Sequence, residues 1–267
     1  MISINTNLAA LRVLTDINNS DQNLQKSLER LSSGLRINSA KDDPGGLGVS
    51  MRLNAQIVSK GAAYNVVSDA VSLLETQDGV MAAAYDVLQR MSELTVLAKN
   101  AVLKTSDTTL YQTEYDQLSD ELHGMLSEEF NGNALFANGG STLTVYTSDN
   151  TSQTASLTIA DMETKVYDLV NGGDVTTTAT SDAISSAIDA LAILRATNGA
   201  QQGRFTRAAD LLDINITNLE SAYGRVMDAD IAEESVKKAK YDILQQAGLA
   251  MLVQANQSKE NILTLLS

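Results

Sequence analysis

The chain has 267 residues, with 33 Asp and Glu against 19 Lys and Arg, one His, no Cys, no Trp and a single Pro. A net charge of −14 repels a phosphate backbone and no basic patch offsets it, so nucleic-acid binding is excluded. The lack of cysteine rules out disulfide scaffolds and thiolate chemistry, and a lone histidine rules out zinc sites built from histidine and cysteine.

Apolar residues make up 43% of the chain but aromatics only 4%, so burial comes in Leu, Ile, Val, Ala and Met units, which suits packed helices. Residues 1–7 lack the charged start and apolar run of a secretory signal, and no stretch approaches the ~18 apolar residues of a membrane span. The chain is expected to be soluble, without membrane insertion, and to leave by another route if exported. The first predicted helix carries Leu14, Ile17, Leu24, Leu28, Leu31 and Leu35 and ends near Ser39, before the break Asp42-Asp43-Pro44-Gly45-Gly46. A long helix begins near Leu47 and runs to about Lys104. Its seam, stepping four then three, is Leu53, Ile57, Lys60, Tyr64, Val67, Val71, Leu74, Asp78, Met81, Tyr85 and Leu88, broken only by Lys60 and Asp78. Such a helix is about 85 Å long at 1.5 Å per residue, which implies a rod with little concave surface for a substrate and much lateral surface for neighbours.

Tyr111, Tyr115, Leu118, Leu122 and Met125 mark a helix of intermediate length. Asn131-Gly132, Asn138-Gly139 and Asn171-Gly172 are turn candidates, whereas Asn198-Gly199 falls inside a continuing heptad pattern. Residues 139–182 are rich in Thr, Ser and Gly. Alternation in Leu143-Thr144-Val145 and Leu157-Thr158-Ile159 reads as a small β-hairpin, followed by a short helix over Met162 to Val170 capped by Asp161. A second long seam runs Ile184, Ile188, Leu191, Arg195, Asn198, Gln202, Phe205, Ala209, Leu212, Ile216, Leu219, Tyr223 and Val226. The last helix carries Leu244, Ala247, Met251, Ala255, Ile262 and Leu265, with Leu249, Leu252, Val253, Leu263 and Leu266 outside that seam.

The predicted fold is mainly α: an elongated antiparallel helical bundle or coiled coil, with paired terminal helices and a small β-hairpin at the middle of the chain. One seam buried on one partner does not offset the entropy of ordering the chain ends, so they need apolar contacts on several sides. The terminal helices are therefore expected to be loose in the free monomer and ordered on assembly.

Three chemical motifs have plainer readings. Gly45-Gly46-Leu47-Gly48 lacks the lysine and preceding strand of a phosphate cradle and reads as a turn. Asp228, Asp230, Glu233 and Glu234 lack the glycine and glutamate of an EF-hand and suit a helix N-terminus. His123 has no catalytic constellation around it. No catalytic residue, metal site or cofactor is expected.

The runs Ile4-Asn5-Thr6-Asn7-Leu8 and Ser27-Leu28-Glu29-Arg30-Leu31-Ser32-Ser33-Gly34-Leu35-Arg36-Ile37-Asn38-Ser39-Ala40-Lys41-Asp42-Asp43-Pro44 resemble bacterial flagellins. So do Leu88 to Leu94, Phe130-Asn131-Gly132, Asp228 to Glu234 and Gln245 to Gln257, and the resemblance covers roughly residues 1–138 and 183–267. It implies a non-enzymatic, extracellular subunit of the flagellar filament, built for swimming motility, with both termini paired in an inner tube. Only a short middle segment is available, so a minimal form without large outer domains is expected. The division implied is 1–45 and 228–267 for the inner terminal-helix domain, 46–138 and 183–227 for the rod, and 139–182 for the variable tip.

The self-assembly residues are then Leu14, Ile17, Leu24, Leu28, Leu31, Leu35, Leu244, Met251, Leu252, Ile262, Leu265 and Leu266. The implied partners are further copies in a helical homopolymer, the type III flagellar export apparatus, an export chaperone, and hook-associated and cap proteins. Gln89, Arg90, Leu94 and Glu114 match positions through which flagellins meet a vertebrate Toll-like receptor, although Ser92 and Leu97 depart from that pattern. The favoured reading of Arg90 and Glu114 is the plainer one, solvated or lateral ion-pairing residues. The family commonly has proline near Lys259 and asparagine at the place of Gly203. A hook-filament junction protein and a secreted adhesive or binding helical rod are the alternatives.

Overall fold

The computed structural model describes residues 7–100, 102, 104–148 and 153–266, with side chains as far as Ser258. They form two compact units, Met1–Ala55 with Asn218–Ser267, and Gln56–Thr217.

In the first unit, helix α1 (Leu8–Ser33) packs antiparallel on the terminal helix Ile231–Leu266. Asn7 starts α1, its Oδ1 accepting from the Ala10 N–H while its Nδ2 donates to the carbonyl of Ala255. The helix stops at Ser33 and not near Ser39. Gly34 adopts φ +72°, and its N–H closes the last turn on the Arg30 carbonyl. The apolar Leu35 and Ile37 carry the helical spacing beyond the true end. Leu35 instead forms an antiparallel bridge with Asp228, Arg36 donates its N–H to Met227, and Ile37 is buried.

Helix α2 (Pro44–Ala98) begins earlier and ends earlier than its spacing suggests. Pro44 is its first residue, where a missing N–H costs nothing, and Asp43 Oδ1 accepts from the Gly46 N–H at 2.8 Å. Glycine at 46 leaves room for its neighbours, since a Cβ there would lie 2.8 Å from Ile37 Cδ1 and closer still to the Asp43 carboxylate, and both side chains would have to shift.

The second unit holds α2 from Gln56, helix α3 (Thr105–Met125), and two antiparallel hairpins, β1 (Glu129–Phe130) with β2 (Asn133–Ala134) and β3 (Ser141–Tyr146) with β4 (Thr154–Ile159). The first hairpin turns on Asn131 and Gly132, both at positive φ. The second matches the alternation read from sequence, pairing Leu143 with Leu157. A π-turn (Glu163–Tyr167) and the short α4 (Asp168–Val170) follow, with Asp161 Oδ1 accepting from the Thr164 N–H. Helix α5 (Thr178–Met227) then runs unbroken through Asn198-Gly199 and Gly203, and α6 is the terminal helix Ile231–Leu266. The outer edge of β4 is covered by a side chain: the Thr158 N–H donates to Gln201 Oε1 at 2.7 Å.

In the middle of each predicted seam alternate positions are core, and several positions between them give way to the residue before. Val67, Leu74, Met81 and Leu88 are fully buried, but their companions are Ala63, Ala70, Gln77 and Ala84, while Tyr64 and Tyr85 are exposed. On α5 Ile184, Leu191, Asn198, Phe205 and Leu212 are buried, with Ala187 and Leu194 beside them. The core is broader than a two-helix seam, because α3, Leu135, Leu157 and Met162 cover α2 and α5 from a further side.

Polar residues inside the two seams find one another. Asn198 Nδ2 donates to Gln77 Oε1 at 2.7 Å, and Gln202 Nε2 donates to Asn198 Oδ1 at 2.9 Å and to the Leu74 carbonyl. Gln77 in turn donates to the Leu135 carbonyl, and Arg195 grips Asp78 through two hydrogen bonds of 2.9 and 3.1 Å. A one-turn slip of α5 along α2 would leave Gln77 and Asn198 buried and unpaired. Asn198→Ala should therefore lower the unfolding free energy by about 2 kcal/mol, read from the shift in urea midpoint of the unpolymerised chain. A change within error would show that water replaces the lost bonds.

Candidate self-assembly surface

The two helices come close at Gly248, where a Cβ would lie 2.6 Å from Ile17 Cγ1. Ala10 and Leu24 are buried in this pairing, and Ile17, Leu31, Leu35 and Leu252 are half-buried. The remaining predicted apolar residues of this set stay in solvent: Leu14, Leu28, Leu244 and Met251 are all exposed, Met251 at 59%. The side chains of Ile262, Leu265 and Leu266 lie outside the described residues.

The spacing argument missed further apolar groups. Leu8 and Leu11 on α1 and Val236 and Ile243 on α6 are exposed as well, beside Leu249 and Val253, which the sequence already set outside the seam. These positions stand off the seam, so a search for one stripe passes over them. The available signal is the density of apolar residues around the whole circumference of each helix.

Charge fixes where the two helices meet. Glu234 is buried, and its Oε1 accepts from Arg30 Nη1 at 3.1 Å and from Lys237 Nζ at 2.9 Å. Burial pushes this carboxyl up, and the two cationic donors outweigh it, leaving it below the ordinary carboxylate value. Among the four acidic residues 228–234, then, roles divide. Asp230 Oδ1 caps α6 by accepting from the N–H groups of Ala232 and Glu233, whereas Glu234 reaches across to α1. A second clamp ties α1 to the loop before α2: Lys26 Nζ lies 2.6 Å from Asp42 Oδ1, while Asp42 Oδ2 accepts from the N–H groups of Asn38 and Ser39 and from the Ser39 hydroxyl. The Lys26 hydrogen bond is the largest reason that the Asp42 carboxyl is lowered to about 2.

In the other unit, Arg90 Nε donates to Glu114 Oε1 at 2.7 Å, and Arg90 also meets Glu93 at 3.1 Å. Both side chains are more than two-fifths exposed, so the pair contributes little to stability. Gln89 is exposed beside them, but Leu94 is fully buried in the core and presents no surface to a partner. His123 is exposed and lies with its ring 4.9 Å from that of Tyr167. Among the described residues, no three His, Asp or Glu side chains are placed to hold a metal ion, and no helix is long and apolar enough to cross a membrane.

Residues 4–141 match the profile of the bacterial flagellin N-terminal helical region, and residues 181–266 that of the bacterial flagellin C-terminal helical region. The flagellin of Bacillus subtilis is 33% identical over 301 aligned positions, spanning 98% of this chain and 99% of its own. The flagellin of Halalkalibacterium halodurans is 33% identical over 269 positions with the same coverage. Among solved structures, Bacillus cereus flagellin is similar at a TM-score of 0.49 and 27% identity, covering 54% of this chain and 86% of that one.

The Lys26 clamp has a signed pH consequence. A carboxyl lowered from 3.8 to about 2 contributes stability that is fully present above its unfolded value and lost as the pH falls through about 2. The Ser39 amide resonance, which reports on its acceptor, should titrate with a midpoint about 2 in the unpolymerised chain. Asp42→Asn should abolish that titration. A midpoint at the ordinary 3.8 would mean that Lys26 does not hold the carboxylate.

Proposed function

The chain belongs to the bacterial flagellin family and is a structural subunit of the extracellular flagellar filament, and from that premise we propose that α1 and α6 are its polymerisation surface. The supporting observation is the exposed apolar set on both helices, from Leu8 to Leu28 on α1 and from Val236 to Val253 on α6. A pair of helices that leaves this much apolar surface in water gains free energy when further copies cover it. Neighbours that cover this surface add to the contacts that α1 and α6 already make with each other. In this reading residues 1–45 and 228–267 form the inner terminal-helix domain, 46–138 and 183–227 the rod, and 139–182 the tip. We assign the chain no catalysis.

Export fits the same design. A chain without cysteine carries no covalent crosslink to block passage unfolded through the type III flagellar apparatus. Before export, the apolar faces of α6 need cover, a task that falls to an export chaperone. After export, hook-associated and cap proteins meet the same terminal helices at the two ends of a growing filament. Recognition by a vertebrate Toll-like receptor would use the exposed Gln89, Arg90 and Glu114, with Leu94 supporting them from the core.

Removing residues 1–36 or 231–267 should abolish long filaments, as seen by electron microscopy after seeding. Leu14→Ala should raise the critical concentration by about tenfold, the equivalent of losing most of one buried leucine, measured by sedimentation. Ordinary fibres from either truncated chain would overturn the assignment. Polymerisation should also speed up as salt rises to moderate levels, because the charge of −14 opposes close approach of copies. Turbidity growth that ignores salt would argue against this.

A further inference from the structure

Four asparagines in the chain precede a glycine: Asn131, Asn138, Asn171 and Asn198. In such a pair the glycine nitrogen is an internal nucleophile held close to the asparagine side-chain carbonyl carbon, and no Cβ on the glycine shields it. The fold decides whether the two atoms can meet. The glycine N–H must stand outside a hydrogen-bonded ladder, and the asparagine side chain must be free to turn.

Three of the pairs meet both conditions. Asn131, Asn138 and Asn171 are exposed, each in a turn whose glycine has a φ of +77°, +75° and +69° in that order. Among the described residues, the N–H groups of Gly132, Gly139 and Gly172 have no acceptor, and nothing lies within 4 Å of where a Cβ on these glycines would stand. The side chains of Asn131 and Asn171 make no hydrogen bond there, and Asn138 Oδ1 accepts a single one, at 3.2 Å from the exposed Thr164 hydroxyl.

Asn198 is the opposite case. It is 2% exposed, its Nδ2 donates to the Leu74 carbonyl and to Gln77 Oε1, and its Oδ1 accepts from Gln202. The Gly199 N–H belongs to the unbroken ladder of α5.

We infer that Asn131, Asn138 and Asn171 are sites of spontaneous covalent conversion to aspartate and isoaspartate, and that packing holds Asn198 out of the same reaction. The glycine nitrogen bonds to the asparagine Cγ while the Cγ–Nδ2 bond breaks, and ammonia leaves with the proton that the glycine nitrogen gave up. Water then opens the cyclic imide. Its addition at Cγ gives aspartate and its addition at the backbone carbonyl carbon gives isoaspartate, and the glycine nitrogen regains a proton on either route. No electrons are transferred, and water is the only co-reactant.

Each conversion adds a carboxylate to a chain already at −14. At Asn131 the isoaspartate route also inserts one backbone carbon into a two-residue turn between strands of two residues each. Leu135, next along, is buried, donates its N–H to the Glu128 carbonyl and accepts from Gln77. A change at this exposed turn therefore reaches the chain of hydrogen bonds that aligns α2 with α5. An extracellular subunit accumulates such changes with its age.

The test follows loss of each amide by mass spectrometry of peptides from the full, unpolymerised chain, aged at mildly alkaline pH with and without guanidinium chloride. In the folded chain Asn131, Asn138 and Asn171 should react at least about a hundredfold faster than Asn198, because exposing Asn198 requires opening the core. In guanidinium chloride all four should react at similar rates. The variant carrying Asn131→Asp, Asn138→Asp and Asn171→Asp keeps residues suited to these turns, and it should no longer develop the acidic bands that the unaltered chain shows on isoelectric focusing. Equal rates at Asn198 and the three turns in the folded chain would overturn the inference. So would three turns that stay intact while the denatured chain reacts, or acidic bands that persist in the triple variant.

Discussion

A helix with apolar residues around most of its circumference cannot be satisfied by one partner, and this governs the whole first unit. The α1–α6 pairing is close, as the approach of Ile17 to Gly248 requires, yet it buries only part of the leucine, isoleucine and valine that the two helices carry. What remains in water is large enough to favour association and is spread over several directions. A flat patch on one side would make a dimer. Apolar groups on many sides suit a subunit surrounded by others, and the filament is such an arrangement.

Selectivity has to come from elsewhere, because apolar burial is indifferent to register. Within the first unit, Arg30 with Glu234 and Asn7 with Ala255 define how far α6 can slide along α1. The second unit uses uncharged and charged groups together. Gln77, Asn198 and Gln202 form a buried chain of hydrogen bonds, with the Asp78–Arg195 pair at its margin. These residues interrupt the heptads, and the interruption is their use: each can be satisfied in one alignment of α2 and α5 only.

Much of this was legible in the chain before any coordinates. The long helices, the break at Asp42–Gly46, the hairpin around Leu143 and Leu157 and the continuity of α5 through Asn198-Gly199 all follow from spacing and turn chemistry. Three things were not. The end of α1 lies at Gly34 because a single left-handed residue stops a helix regardless of the apolar residues beyond it. Parts of each seam are offset by one position because periodicity reports a helix's preferred stripe and not how many neighbours share it; α3 and the hairpins draw Ala63, Ala70 and Ala84 inward and leave Tyr64 and Tyr85 out. At the candidate surface, Leu8, Leu11, Val236 and Ile243 escaped notice because they lie on faces other than the one stripe that was followed, and those faces are left to neighbours. Leu94 is the converse case, a residue matched by resemblance that the core keeps for itself.

The Gln201 amide laid along Thr158 bears on crowding. Every open strand edge in a dense array of identical chains invites a foreign strand, since identical sequences match in register at no cost. By offering its own oxygen to the Thr158 N–H, Gln201 occupies that position with a side chain rooted in α5. At that position β4 is closed to a strand from a neighbouring copy, because its donor is already spoken for within the chain.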